Sequence, residues 1–255
     1  MDLNVRGKVA LITGGSRGIG RACALGLAAE GAHVAVNYAR DASAAGEVVR
    51  LAESAGVRSL AVQADVSDDG QVCRMVKDVE EALGPIDILV SNAGIQTPHW
   101  DVFAPDFMDD WGRIQEVNCR GMMHCVHAVI PGMRERGWGR IVFVNSMSAY
   151  GMGLVSAYIA SKAATVELTR SLGLTLAPYG INVNGVSPGN VLTDFPTPLR
   201  NMTPEAEAAF VASIPIRRVP VPEDIAPVVV FLCSDLARNV VGEDVLVAGG
   251  QRVRA

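Results

Sequence analysis

Tyr158-Ile159-Ala160-Ser161-Lys162 sets a phenol and an ammonium four residues apart, the spacing that puts two side chains on one face of a helix. A free tyrosine ionises near pH ~10, so acid–base work at neutral pH asks for a depression of about three units, roughly 4 kcal/mol. A cation at ~4 Å in an effective dielectric of ~20 supplies about 4 kcal/mol, so Lys162 is of the right size to provide it. The same spacing is common on surface helices and proves nothing alone. Ser146 follows an apolar run at 140–144, where a hydroxyl can hydrogen-bond a carbonyl, and Ser148 competes for that duty. Asn118 interrupts a helical stretch, where asparagine is a mediocre helix former; holding a water or simply facing solvent would both suit it.

A second constellation is Thr13-Gly14-Gly15-Ser16-Arg17-Gly18-Ile19-Gly20, leading from an apolar run into an amphipathic one. Gly14, Gly18 and Gly20 would let the backbone turn and approach a pyrophosphate, while the amides around Ser16, Arg17 and Ile19 face the anion. The Gly-x-x-x-Gly-x-Gly spacing differs from the commoner Gly-x-Gly-x-x-Gly, and a purely structural turn is the competing explanation. The next apolar run ends Val36-Asn37-Tyr38-Ala39-Arg40. An acidic residue there would grip ribose hydroxyls and repel a 2'-phosphate; none is present, and Arg17 and Arg40 offer guanidinium groups. NADP(H) is therefore favoured over NAD(H), with solvated surface arginines as the alternative.

These groups need a scaffold, and the periodicity describes one. Strand-like runs at 9–12, 34–36, 60–63, 86–90, 140–144, 181–186 and 245–247 alternate with helical stretches at 18–30, 43–54, 71–83, a long one ending near 136, 155–177 and 224–234. This predicts an α/β fold: a single domain over 1–255, its doubly wound seven-stranded parallel sheet covered by helices on both faces. The cofactor half would span about 1–150 and the catalytic half about 140–255. Residues 188–222 hold seven prolines and one short helical piece near 204–213, which reads as a substrate-covering loop.

Composition agrees with this reading: 49% hydrophobic and 19% charged residues suffice for a sheet buried on both faces. A net charge of -5 argues against nucleic acid and anionic membranes as partners. No membrane-length apolar run or signal layout is visible, so a soluble cytoplasmic protein is expected. Five dispersed cysteines suggest buried free thiols rather than disulfides. His124 and His127 lie three apart but lack further ligands, so no metal is expected.

Taken together, Thr13–Gly20, Asp65-Val66, Asn92-Ala93-Gly94, Asn118, Ser146, Tyr158-x-x-x-Lys162 and Pro188-Gly189 followed by Thr193 resemble the short-chain dehydrogenase/reductase family over essentially the whole chain. The resemblance implies a nicotinamide near Pro188, Gly189, Val191 and Thr193, Asp65 and Val66 close to adenine, and Asn92, Ala93 and Gly94 lining the cofactor cleft. It also implies roles: Ser146 polarises a carbonyl, Tyr158 passes the proton, Lys162 lowers the tyrosine pKa and holds ribose, and Asn118 anchors a water relay. Dimers or tetramers are usual in such a family. Expected pocket residues are Gln96, His99, Trp100, Ser146, Met152, Leu154, Asn190 and Phe195, a mainly apolar set that suits a medium-sized ketone or alcohol.

Several features depart from the family pattern. The Ser146-to-Tyr158 interval is one residue short, Ser91 and Ala248 replace a usual asparagine and aspartate, and the segment between Gly94 and Asn118 is slightly long. Many relatives reduce 3-oxoacyl chains on an acidic carrier protein through two basic docking residues, which fall here on Gly137 and Leu174. Arg134 and Arg136 are possible substitutes, so a carrier-protein reductase is the second reading. A silent NADP-binding scaffold is the third.

Overall fold

The computed structural model describes residues 2–96, 102–151, 156–193, 195 and 202–251. Its strands are β1 (Val9–Ile12), β2 (His33–Tyr38), β3 (Ser59–Gln63), β4 (Ile88–Ser91), β5 (Gly139–Val144), β6 (Ile181–Pro188) and β7 (Asp244–Val247). All pair in parallel, in the order β3-β2-β1-β4-β5-β6-β7. The expected seven-stranded sheet is present, and the order reverses between β1 and β4, which opens a crevice at their carboxyl ends.

Alternation of side chains across the strands builds two cores. Ala10, Ile12, Ile88 and Val90 face helices α1 (Gly18–Ala29), α2 (Ala42–Ser54) and α8 (Pro222–Leu232). Val9, Leu11 and Leu89 face α3 (Asp69–Leu83), α5 (Met122–Arg136) and α6 (Ser156–Leu176). Since both faces are covered, the strands read as continuous apolar runs rather than alternating ones. Two helices begin earlier than periodicity suggests because of their caps: Asp41 Oδ1 accepts from Ala44 N at 2.9 Å and Asp68 Oδ1 from Gln71 N at 3.0 Å.

The long helix expected before residue 136 is three pieces. Helix α4 (Phe107–Gln115) passes through a π-helical turn (Glu116–Gly121) into α5, and Asn118 occupies that turn, 2% exposed. It does not face solvent. The proline-rich stretch is also shorter than expected, because β6 runs on to Pro188, paired with Val247; α7 (Pro204–Ser213) lies where the short helical piece was expected.

Other expectations meet a plainer outcome. Cys23, Cys125 and Cys233 are buried free thiols, whereas Cys73 is exposed and Cys119 half-buried. His124 Nδ1 lies 3.0 Å from Val66 O, and no group of three metal-capable side chains occurs among the described residues. Nor is any described helix long and apolar enough to cross a membrane.

Candidate active site

Everything at the crevice begins with how β1 ends. Gly14 N and Gly15 N donate to Asn37 Oδ1 at 3.2 Å and Asn37 O at 2.9 Å, folding the chain back across β2. From β4, Asn92 Nδ2 donates to Thr13 O at 2.9 Å and Gly14 O at 3.0 Å, while Thr13 Oγ1 accepts from Asn92 N and Ala93 N, both at 3.0 Å. A Cβ on Gly20 would lie 2.4 Å from Gly14 O and 2.5 Å from Asn92 Nδ2, so only glycine lets α1 sit this close. Helix α1 starts with no side-chain cap at Arg17. Its first-turn amides are left for an anion, and the macrodipole adds positive potential.

Asn37 needs a more exact description than a cofactor contact. It is buried, and Nδ2 donates to Ala64 O at 3.1 Å and Val62 O at 3.4 Å, so its amide ties the glycine turn to β3. Arg17 and Arg40 are exposed at the crevice, and neither forms a salt bridge with a described residue. Asp65 Oδ2 accepts from Arg113 at 2.9 Å and Oδ1 from the Ser67 hydroxyl at 2.6 Å. Burial raises the Asp65 carboxyl, but Ser67 and Arg113 outweigh it and hold it at about 2.

On the other side, the corner after β5 carries Ser146 in extended conformation, its Oγ accepting from Ser148 N at 3.1 Å as a 3-10 turn (Met147–Tyr150) begins. Ser148, the rival, is thus a support for Ser146. The Ser146 hydroxyl stands beside the Tyr158 phenol and favours its ionised form, and Phe195 packs on that ring with centroids 5.9 Å apart. Lys162 Nζ donates to Val144 O at 2.7 Å and lies 5.8 Å from the Tyr158 ring centroid. Burial pushes the phenol up to about 12, the Ser146 hydroxyl opposing it, and drops the Lys162 ammonium to about 8 despite Cys119 and Asp244 nearby. The depression expected from Lys162 does not show in this structure: desolvation of the phenolate outweighs what the ammonium, 5.8 Å from the ring centroid, supplies.

Both Nδ2 hydrogens of Asn118 are engaged. Nδ2 donates to Ile95 O and Ser161 Oγ, both at 3.0 Å, and Oδ1 accepts from Ile95 N at 2.8 Å. A water here could use the second lone pair of Oδ1 or backbone groups that the π-turn frees.

These elements enclose a cleft of about 1020 Å³. Of the residues singled out by sequence, Gly14, Ser16, Arg17, Gly18, Ile19, Asn37, Tyr38, Ala39, Arg40, Asp65, Val66, Asn92, Ala93, Gly94, Gln96, Ser146, Tyr158, Lys162, Pro188, Gly189, Asn190, Val191, Thr193 and Phe195 border it. Gly20 and Asn118 stand behind that lining. His99, Trp100, Met152 and Leu154 fall outside the described residues. Sequence reasoning missed Arg113, Asn145 and Ile159, which also border the cleft, and Gln251, whose Oε1 accepts from Asn190 N at 3.3 Å.

A glycine turn too tight for side chains, an uncapped helix start and a long cleft at the switch point fit a dinucleotide, and they define the class as a Rossmann-type nucleotide-binding α/β fold. A family model described as enoyl-(acyl carrier protein) reductase matches residues 14–252. The 3-oxoacyl-(acyl-carrier-protein) reductase FabG of Staphylococcus aureus is 38% identical over 244 residues, 95% of this chain and 97% of that protein. A short-chain type dehydrogenase/reductase from Mycobacterium marinum superposes with a TM-score of 0.91 at 35% identity, over 99% of this chain and 98% of that one. A 7 alpha-hydroxysteroid dehydrogenase complexed with NADH and 7-oxo glycochenodeoxycholic acid gives 0.90 at 36% identity, over 98% and 96%. The chain belongs to the short-chain dehydrogenase/reductase family, oxidoreductases that bind a nicotinamide cofactor and act on CH–OH or carbonyl groups.

Proposed function

We propose that this protein is a single-domain, NADP(H)-dependent oxidoreductase acting on a small ketone or secondary alcohol. The observation that carries the reading is that Ser146, Tyr158 and Lys162 border one cleft, with the Ser146 hydroxyl beside the phenol. In reduction, the two hydroxyls hold the carbonyl oxygen, and Tyr158 gives that oxygen its proton as the carbon takes a hydride; in oxidation the phenolate takes the proton back. A bound nicotinamide supplies or accepts the hydride. Lys162, protonated below about pH 8, sets a positive charge one helical turn from the phenol and holds ribose hydroxyls. Asn118 fastens the Ile95 segment against α6, keeping Lys162 and the floor of the cleft in register.

Support for NADP(H) comes from residues 36–40, which lack a carboxylate, and from Arg17 and Arg40, which border the cleft and form no salt bridge with a described residue. The test is oxidation of NADPH and of NADH with benzil, cyclohexanone, acetoacetyl-CoA and an acetoacetyl carrier protein. Turnover of the ketones with NADPH is the expected result, and silence with every carbonyl overturns the reading.

A carrier-protein reductase is kept as the second reading because of the similarity to the staphylococcal enzyme. Against it, Gly137 and Leu174 bring no charge, Arg136 is tied to Ile86 O at 2.6 Å and to Asp87, and Arg134 lies over the Tyr179 ring. A strong preference for the carrier-bound substrate over acetoacetyl-CoA would favour it. The reading also includes association into a dimer or tetramer, which sedimentation tests.

A further inference from the structure

Beneath Ser146 lies a carboxylate that the proposed reaction does not use. Asp244 opens β7, a strand position where aspartate is a poor choice on propensity alone. Its Oδ1 accepts from Asn145 Nδ2 at 2.7 Å; its Oδ2 accepts from the Tyr150 phenol at 2.6 Å and the Ser187 hydroxyl at 2.5 Å. Asn145 and Tyr150 are the two ends of the short corner whose second residue is Ser146. Both ends are therefore fastened to one carboxylate from a distant strand.

Room for this junction has been made in the sheet. A Cβ on Gly185, the β6 residue paired with Asp244, would lie 2.3 Å from Asp244 Oδ1 and 2.4 Å from Asn145 Nδ2. The Asn145 amide also donates to Thr169 Oγ1 on α6 at 3.2 Å, the helix that carries Tyr158 and Lys162. The Ser146 corner and β6 thus meet at Asp244 directly, and α6 reaches it through Asn145. A residue that breaks local preference while collecting three short hydrogen bonds is the kind of exception that accompanies function.

We propose that Asp244, acting through Asn145 and Tyr150, is a positioning residue that fixes the Ser146 hydroxyl against the Tyr158 phenol. Among its described residues, the corner after β5 holds a 3-10 turn and three short-range internal bonds: Ser148 N to Ser146 Oγ, Ala149 N to Ser146 O and Gly151 N to Ser148 O. Tyr150 and Asn145 supply the anchoring those contacts lack.

The inference rests on Ser146 and Tyr158 being the reacting pair, and two measurements separate the two ideas. In the first, Tyr150→Phe is compared with the wild type for benzil reduction by NADPH and for NADPH binding. About a tenfold loss of kcat with a cofactor dissociation constant within about twofold of wild type is expected, the effect of one charge-assisted hydrogen bond. Asp244→Ala should lose more, and the double variant should lose no more than Asp244→Ala alone. Wild-type kcat in folded Tyr150→Phe, or a loss matched by weaker cofactor binding, overturns the proposal. In the second, amide hydrogen exchange of Tyr150→Phe is followed without any substrate. Faster exchange confined to Ser148, Ala149 and Gly151 supports it; unchanged exchange there overturns it. An enzyme silent with every carbonyl would fail the reaction assignment and leave the exchange result to decide the anchor.

Discussion

Lys162 reaches past the Tyr158 ring to donate to Val144 O at 2.7 Å, so its ammonium is fastened to the end of β5 while remaining 5.8 Å from the phenol centroid. The two side chains share a helix face but have separate surroundings, the ammonium on a strand carbonyl and the phenol beside the Ser146 hydroxyl. Their substitution should therefore produce separable defects.

Tyr158→Phe should lower kcat by about 10²–10⁴, the usual worth of a positioned acid, while NADPH binding stays within a few-fold. Lys162→Ala should damage both kcat and NADPH binding. Steady-state kinetics beside a fluorescence titration of the cofactor distinguish them, and wild-type-like turnover by Tyr158→Phe would sink the assignment.

The Lys162 ammonium, lowered by burial to about 8, makes cofactor binding sensitive to mild alkali. Its charged form predominates below that value and is lost as pH rises through it. NADPH affinity of the free enzyme is expected to be level from pH 6 to about 8 and to fall above it, while Lys162→Ala shows no such break. A break-free wild-type profile would contradict the role given to this charge.

Cofactor choice should follow the two arginines. Arg17→Ala and Arg40→Ala are each expected to raise KM for NADPH by about tenfold, as loss of a phosphate contact does, with little effect on NADH. Tyr38→Asp should turn the preference toward NADH, because a carboxylate there repels the 2'-phosphate. Paired kcat/KM measurements with the two cofactors decide the matter; a wild type that already prefers NADH would remove the premise.

Acid should erase the benefit of Arg113. The Asp65 carboxyl is held at about 2, below its ordinary value of 3.8, so its contribution is complete at neutral pH and is lost as pH falls through about 2. Urea unfolding of Arg113→Ala should show a deficit of at most about 1 kcal/mol at pH 7, because both groups are partly exposed. The deficit should begin to shrink below pH about 4 and approach nothing as pH falls through about 2.

Gly20→Ala should be costly out of proportion to one methyl group. Its Cβ would strike Gly14 O and Asn92 Nδ2, so a loss of about 1–3 kcal/mol and a large loss of NADPH affinity are expected by thermal melting and titration.

What sequence could foretell follows the range over which each residue acts. The glycine turn and the Tyr158–Lys162 pair are local devices, encoded within one turn or one helix, and both stand where periodicity put them. The seven strands were visible because their apolar runs are bounded by helical stretches. The π-turn at Asn118 was not visible, since its register is set by packing: a Cβ on Gly121 would lie 2.8 Å from Val66 Cγ2 and 3.0 Å from its backbone. Arg113 with Asp65, Gln251 with Asn190 and Tyr150 with Asp244 join residues 48, 61 and 94 positions apart, and no spacing rule links them.

The same separations set an order of events during synthesis. The contacts of Thr13 with Asn92 span 79 residues, so the glycine turn can be completed once β4 has been made. Asn145 must wait for Asp244, 99 residues further along, and only when β7 docks do its amide and the Tyr150 phenol gain that carboxylate. A nascent chain thus carries both partners of the glycine turn well before it carries the carboxylate that fastens the corner at Ser146.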